Sequence, residues 1–516
     1  LGNQTFYECA GLASALLGPE VLTMGPRAFQ GCASLASVTL QNSVIGDFMF
    51  YECLGLQSVT VPASVDTVGE SAFQGCAGLV TVVLQNSVIG DRMFYECASI
   101  DAITVPPSVV TVGSSAFQGC TGMQSADAQN AVIGHKMFYE CTGLTSVTIR
   151  SSVTTVGDSA FQGCTGILTV SIQNALIGDK MFYECTSLTS VLVPAEVTHV
   201  GTEAFMGCTA VLSAEVQGSV IGHRMFYENT AMEAAIIGPA VAEVGDSAFQ
   251  GNVALISVAI QNTVLGYRMF FECVSLPEVV VPSSVHTVGD GAFEGCVSIT
   301  TAEVHGSAIG NRMFFENILL GGITIPSSVT SMGDHAFFGC KELKYANIHN
   351  QALPNATFHE CEALTTIDIP SSVTFIDDYV FHGCVGLTEV NIAEGPTRIG
   401  MKAFSSCESL PRLDIPSSVT IIGGGAFAST ESLGQLRIAG SAAHGVQVGH
   451  GSFPGCGSST RIPDSASDIG HDVYVACAGT STQFPTLTPT AAPSTSAAPT
   501  APKTCSEYSI QYSIRK

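Results

Sequence analysis

One phenylalanine recurs along almost the whole chain, and its period constrains the fold more than any other feature. Phe6, Phe29, Phe50 and Phe73 open a series whose steps alternate between 23 and 21 residues as far as Phe358. From there to Phe381, Phe404 and Phe427 every step is 23. Residues 153–197 hold one full unit of the alternation. Phe161 is followed by Cys164 and then by Ile167, Val170 and Ile172; Phe182 is followed by Cys185 and then by Leu188, Val191 and Val193. The longer coil carries a Pro-Ser-Ser-Val loop and an Ala-Phe-x-Gly-Cys segment, as over 282–296. The shorter one carries Gln-Asn-x-Val-Ile-Gly and Met-Phe-Tyr-Glu-Cys, as over 85–97. A coil of this length cannot bury its own apolar face. It becomes stable only by stacking on its neighbours, so a fixed short period implies a solenoid with one continuous core.

The strand of each coil is legible as a short apolar alternation: Val38-Thr39-Leu40, Val59-Thr60-Val61, Val147-Thr148-Ile149. β-Branched residues at every second position suit a pleated strand with one buried face. The Gly-Asp-x-Ala-Phe stretch has turn residues and then room for about one helical turn, so a short helix or 3₁₀ turn is expected on the opposite side of the coil.

Composition removes several function classes. The formal net charge is −25, from 43 acidic and 18 basic residues, so phosphate backbones and anionic membranes are repelled and nucleic acid is set aside as a partner. Charged residues are only 12% and apolar residues 46%, which excludes a disordered acidic chain. No apolar run reaches the length of a membrane span, and no signal peptide is visible. Leu1-Gly2 aligns with Ile89-Gly90, in the middle of a coil, so the sequence reads as processed or truncated.

Leu188-x-x-Val191-x-Val193 matches the L-x-x-L-x-L core of leucine-rich repeats, and IPSSVTSMGDHAFFGCKEL over 325–343 resembles the BspA-like class of that family. The resemblance covers about residues 1–440. It implies an α/β leucine-rich-repeat solenoid: a curved right-handed superhelix with short parallel strands on one face and short helical or 3₁₀ turns on the other. It also implies a surface protein that adheres to host proteins or to other cells. The 21-residue coils, with Gln-Asn in place of Pro-Ser, depart from the usual pattern of the class. Residues 441–480 read as a degenerate last coil or cap, in which Phe453 and Cys456 echo the repeat. Residues 481–503 are rich in Pro, Thr, Ser and Ala and read as an extended linker or stalk. Residues 504–516 are a fragment too short to be a domain.

The cysteines three residues after each Phe invite a disulfide or metal reading. The same position holds Asn229, Asn252, Asn317 and Thr430 in the other four coils. Residues that cannot form disulfides but can hydrogen-bond at a bend point instead to an inward-facing polar ladder. Parallel side chains on stacked coils have poor torsions for S–S bonds, and no CxxC pair offers a metal site. Cys456 and Cys477 are the better disulfide pair, closing the cap. A row of pairs four residues apart, Arg92/Glu96 through Arg312/Glu316, would meet on a helical turn and stabilise it slightly. His359 and His382 are one coil apart, with His349 and Asp378 near in sequence, and define a possible weak zinc or copper site set against ordinary surface or turn histidines. No nucleophile elbow, phosphate loop, HExxH or dinucleotide fingerprint is present, so no catalytic residue, metal or cofactor is assigned and the chain is read as a non-enzyme.

The best functional candidate is the outward face of the strands. Its middle residues include Thr39, Thr60, Thr104, Thr148, Ser171, Leu192, Glu215, Ile236, Glu303, Thr324 and Asn347. They make a Thr-rich, weakly acidic surface with an aliphatic patch, flanked by a second row from Gln41 to Gln261. Such a surface fits a protein or glycan ligand, which the resemblance would place on a host or neighbouring cell. Asn3 and Asn355 begin N-x-Thr sequons, which would carry glycans in an extracellular or cell-surface protein. Two rival readings remain: a self-associating wall or coat component, and an intracellular interaction scaffold, which free thiols throughout together with no glycan mass would favour.

Overall fold

A computed structural model describes residues 2–439, 446–449, 451–452 and the strand Val473–Ala476, all within one compact unit, Leu1–Gly479. The alternating apolar residues form strands of four, such as Ser37–Leu40, Ser58–Val61 and Thr81–Leu84, each with the pattern exposed, buried, exposed, buried. Successive strands pair in parallel and in register one coil on: Ser125 opposite Ser146, and Ser146 opposite Thr169. The 21- and 23-residue spacings therefore both close one full coil. The first eight strands, from Ser14–Leu17 to Thr169–Ile172, make one sheet.

A second, narrower ladder was not foreseen. Val44–Ile45 of a short coil pairs in parallel with Thr67–Val68 of the following long coil, and the pattern repeats at Val88–Ile89 with Thr111–Val112. The Gln-Asn departure of the short coils is explained beside it. Asn130, Asn174 and Asn350 are buried, and each turns its amide Nδ2 onto the carbonyl two residues ahead, at 2.5, 2.7 and 2.6 Å. Each closes its own bend in this way. The long coil answers with serine: Ser284 Oγ donates to Asn262 O at 2.9 Å and Ser372 Oγ to Asn350 O at 3.0 Å. The two coil types are thus halves of one hydrogen-bonded unit, which is why the sequence repeats in pairs.

The helical or 3₁₀ turns expected on the far side are absent: among the described residues there is no helix, and the fold is a β-solenoid of parallel strands. The backbone donors show why. Ser71, Phe73 and Gly75 give their N–H groups to the carbonyls of Asp91, Met93 and Tyr95 in the next coil, each at 2.8 Å. Between them, Gln74 and Cys76 close tight turns onto Ser71 and Phe73 at 3.2 and 3.3 Å. Half the donors a helix would need are spent along the solenoid axis, where the neighbouring coil offers unpaired carbonyls. Left-handed residues every fourth position, Ser71 and Gly75 or Arg92 and Glu96 at φ 55, 71, 48 and 56°, keep the segment from winding. The coils also approach closely here, since a Cβ on Gly69 would lie 2.4 Å from Asp47 N.

The Arg/Glu pairs four apart consequently do not share a helical face. Arg92 reaches back one coil to Glu70 at 3.0 Å, and Arg312 to Glu294 at 2.5 Å. Lys180 and Arg224 both reach Glu203, at 3.5 and 3.4 Å.

The core runs the length of the solenoid as two ladders. Every consecutive pair of repeat phenylalanines is stacked, from Phe6–Phe29 at 5.0 Å to Phe404–Phe427 at 5.7 Å between ring centroids. Burying a ring of this size contributes about 1.5–3 kcal/mol, with further gain from ring–ring contact. Beside it lies the cysteine ladder. Cys76 Sγ donates to Phe50 O at 3.0 Å and Cys97 Sγ to Phe73 O at 3.1 Å, and the pattern continues to Cys407 and Phe381 at 3.2 Å. All sixteen described cysteines are free thiols, and all but Cys9 are buried. Burial pushes the Cys208 and Cys384 thiols up to about 12.

At the C-terminal end, Gln447–Val448 extends the narrow ladder in parallel from Ile421–Ile422, while Val473–Ala476 lies antiparallel to Gln435–Ile438. Cys456, Cys477, the stalk at 481–503 and residues 504–516 lie outside the described residues. No described helix is long and apolar enough to cross a membrane.

Candidate functional site

The strand alternation decides which side chains are available for recognition. The second and fourth residues of each strand fill the core, so the first and third project from the sheet. Thr39, Thr60, Thr104, Ser171, Leu192, Ile236, Glu303, Thr324 and Asn347 are exposed; Thr148 and Glu215 are half-buried. The structure therefore brings the predicted residues onto one face, in file, one per coil. Leu192 and Ile236, 49% and 39% exposed, stand two coils apart with Glu215 between them. The neighbouring glutamines engage this file: Gln217 Nε2 donates to Glu215 Oε1 at 2.6 Å and Gln129 Nε2 to Asp127 Oδ2 at 2.8 Å. Arg150, where most long coils have Pro, forks onto Asp127 at 2.8 and 3.0 Å, and this bonding holds the Asp127 carboxyl below its usual range.

The file changes character toward the C-terminus, where two grooves open on the same face. One, of about 530 Å³, includes Glu303, His305, Thr324, Lys344 and Tyr345. The next, of about 560 Å³, includes Asn347, His349, Asp368, Asn391, Arg412 and Asp414. Asn347 Nδ2 donates to Thr324 Oγ1 at 3.2 Å, and Asn391 Nδ2 to Asp368 Oδ1 at 2.9 Å, so the alternating amide and carboxylate groups of the file are linked across coils. The middle-strand file was readable from sequence. The grooves were not, because they depend on first-position residues such as Gly322 and Tyr345, whose significance appears only once strands are in register.

The histidines do not make a metal centre. His359 and His382 do stack, with centroids 4.7 Å apart and planes 14° from parallel. Parallel rings carry their lone pairs side by side, whereas ligands of one zinc or copper ion must converge on it. His349 instead lines the strand-face groove, and Asp378 accepts from Arg398 Nη2 and Met401 N–H, both at 2.7 Å. Among the described residues no group of three or more His, Cys, Asp or Glu side chains could hold a metal. Of the two sequons, Asn3 is exposed. Asn355 is half-buried, and the Thr357 hydroxyl behind it is buried, donating to Pro354 O at 2.7 Å.

A solenoid of 21- and 23-residue coils with aligned parallel strands, a stacked aromatic spine and an exposed residue file is a leucine-rich-repeat protein. Its family model is the BspA type leucine-rich repeat region, which matches residues 1–124, 131–256, 242–353 and 351–481, and the chain belongs to that family. Solved leucine-rich repeat proteins are similar to it. One from Eubacterium ventriosum is 23% identical over 60% of this chain and 83% of its own, with a TM-score of 0.37. One from Bacteroides ovatus is 21% identical over 85% and 84%, with a TM-score of 0.29. A leucine-rich cell surface protein from Faecalibacterium prausnitzii is 23% identical over 74% and 88%, with a TM-score of 0.31. No curated protein sequence matches the chain.

Proposed function

We propose that this is a secreted or cell-surface binding protein that adheres, without covalent chemistry, to a protein or glycan partner through the outward face of its strands. The observation that carries this reading is the exposed file of middle-strand residues. These side chains are not needed to fill the core, yet they are held in fixed relation by a rigid parallel sheet. Many weak contacts repeated along such a file add to useful avidity without any single deep pocket. Membership of the BspA-type family, the Thr/Pro stalk at 481–503 and the exposed Asn3 sequon support a position outside the cell. The free thiols do not weigh against it. All the described ones but Cys9 are sealed in the core and hydrogen-bonded to carbonyls, where neither partner thiols nor oxidants reach them.

The test is a glycan and matrix-protein binding array, run with the wild-type chain and with a variant carrying Thr60→Lys, Thr104→Lys and Thr148→Lys. These changes place long charged side chains along the file without entering the core. Loss of binding supports the reading; unchanged binding removes this surface from consideration.

A further inference from the structure

Tyr345 is seated on the sheet in a way no other described coil repeats. Strand Gly322–Ile325 pairs in parallel with Tyr345–Ile348, placing Gly322 directly opposite Tyr345 at the exposed first position. Most other strands begin there with Ser, Thr or Ala. A Cβ on Gly322 would lie 2.2, 2.4 and 2.6 Å from Tyr345 Cζ, Cε1 and Cε2. The near-equal distances, with the hydroxyl not among the nearest atoms, mean that the Cβ direction meets the ring through its face. The ring therefore lies flat across the glycine, and only a glycine lets it do so. One face is closed by the sheet; Tyr345 remains 52% exposed, so the other face is open to solvent.

The surroundings of that open face are polar and close to neutral in charge. Glu303 and His305 pair at 3.3 Å on one side, Thr324 and Asn347 are joined at 3.2 Å on another, and Lys344 precedes the ring. The groove that Tyr345 lines with Glu303, His305, Thr324 and Lys344, about 530 Å³, falls within the range of small-ligand sites. A bare aromatic face ringed by donors and acceptors, without excess charge of either sign, is complementary to a molecule with one C–H face and a hydroxyl rim. The electron-rich ring face attracts the polarised C–H groups, while the rim exchanges hydrogen bonds with the hydroxyls. Nucleotides also stack on such rings, but their phosphates oppose the net charge of −25.

We propose that the Tyr345–Gly322 platform is a saccharide subsite that binds a pyranose ring of a neutral glycan. The proposal rests on the strand face being the recognition surface. The experiment is saturation-transfer NMR on the full chain with a panel of neutral gluco-, galacto-, manno- and N-acetylglucosamine oligosaccharides, with sialylated ones alongside. At least one neutral saccharide should receive saturation, strongest at the C–H protons of one ring face. Tyr345→Ala should weaken it about tenfold, while Tyr345→Phe should hold it within roughly twofold. Gly322→Ala should weaken it as much as Tyr345→Ala, because the added Cβ pushes the ring off the sheet. The tip of a flexible side chain yields to it, so the fold survives. A panel in which no neutral saccharide registers overturns the proposal, as does binding that Tyr345→Ala and Gly322→Ala leave unchanged. Protein binding that is lost in the triple Thr→Lys variant but kept in Tyr345→Ala, with no saccharide bound, would sink the subsite while leaving the wider binding function standing.

Discussion

Replacing Asn317 with cysteine should stabilise this protein, against the usual direction for a buried substitution. Asn317 is fully buried in the cysteine ladder, and neither its Oδ1 nor its Nδ2 has a partner. The other non-cysteine residues of the ladder are better served. Asn229 Oδ1 accepts from Cys208 N–H at 3.0 Å, Asn252 Nδ2 donates to Phe249 O at 2.9 Å, and Thr430 Oγ1 donates to Phe427 O at 2.8 Å. A buried polar group without a partner costs about 1–3 kcal/mol. A thiol of similar size removes that cost and gains a weak bond, because in short coils Sγ reaches the phenylalanine carbonyl of the preceding coil, as from Cys361 to Phe337 at 3.3 Å. Asn317→Cys is therefore expected to gain about 2 kcal/mol, and Asn317→Thr, which copies the side chain found at Thr430, somewhat less. Asn229→Cys and Asn252→Cys each remove one orphan and one satisfied bond and should change stability by about 1 kcal/mol or less. Urea unfolding followed by far-UV circular dichroism in reducing buffer reads the midpoints, and amide exchange at Phe314 and Leu320 reads the coil itself. A lowered midpoint for Asn317→Cys, or equal shifts at all three asparagines, would refute the reasoning. The amide would then be satisfied, for example by a buried water.

Two further outcomes follow from the turn stack. Glu96 sits at φ 56°, where the flanking long coils place Gly75 and Gly119 at 71 and 73°. Glu96→Gly should leave the thermal midpoint unchanged or slightly higher. A helical turn there would instead lose about 1 kcal/mol, so a clear drop would restore the helical reading. Burial, and then the adjacent His382, hold the His359 imidazole down at about 4, and His335 and His382 are also lowered by burial. Unfolded histidine titrates near 6.5, so between roughly 6.5 and 4 the unfolded chain binds protons that the folded chain does not, and stability falls as pH falls through that window. Asp334 and Arg312 near His335, and Glu360 and Lys402 near His382, are the other charges that bear on the stack. His359→Gln, which copies the residue that long coils place one after their Phe, as at Gln118 and Gln162, should flatten this dependence in amide exchange of the coils from His335 to His382; an unaltered pH profile would assign it elsewhere.

The period alone determined the solenoid, its parallel strands and which strand residues face out. Each follows from a local rule: a coil too short to bury itself must stack, and a strand of alternating residues has only two faces. The Cys ladder was also legible, because Asn229, Asn252 and Asn317 occupy its steps and exclude a disulfide framework. Two things were decided only by tertiary structure. The segment around each Phe looks helical when its residues are counted along the chain, but its N–H groups find carbonyls across the axis in the next coil, 20 residues on for the Ser71–Asp91 bond. The one clue in the sequence was that, as far as Phe381, the residue two after Phe is Gly in long coils and Glu in short ones, a hint of left-handed backbone. The Tyr345 platform was likewise invisible. Gly322 and Tyr345 are 23 residues apart, and nothing marks them as a pair until the parallel register sets one beneath the other. Periodicity dictates what every coil shares, whereas a site depends on where neighbouring coils differ, and that difference takes on meaning only in register.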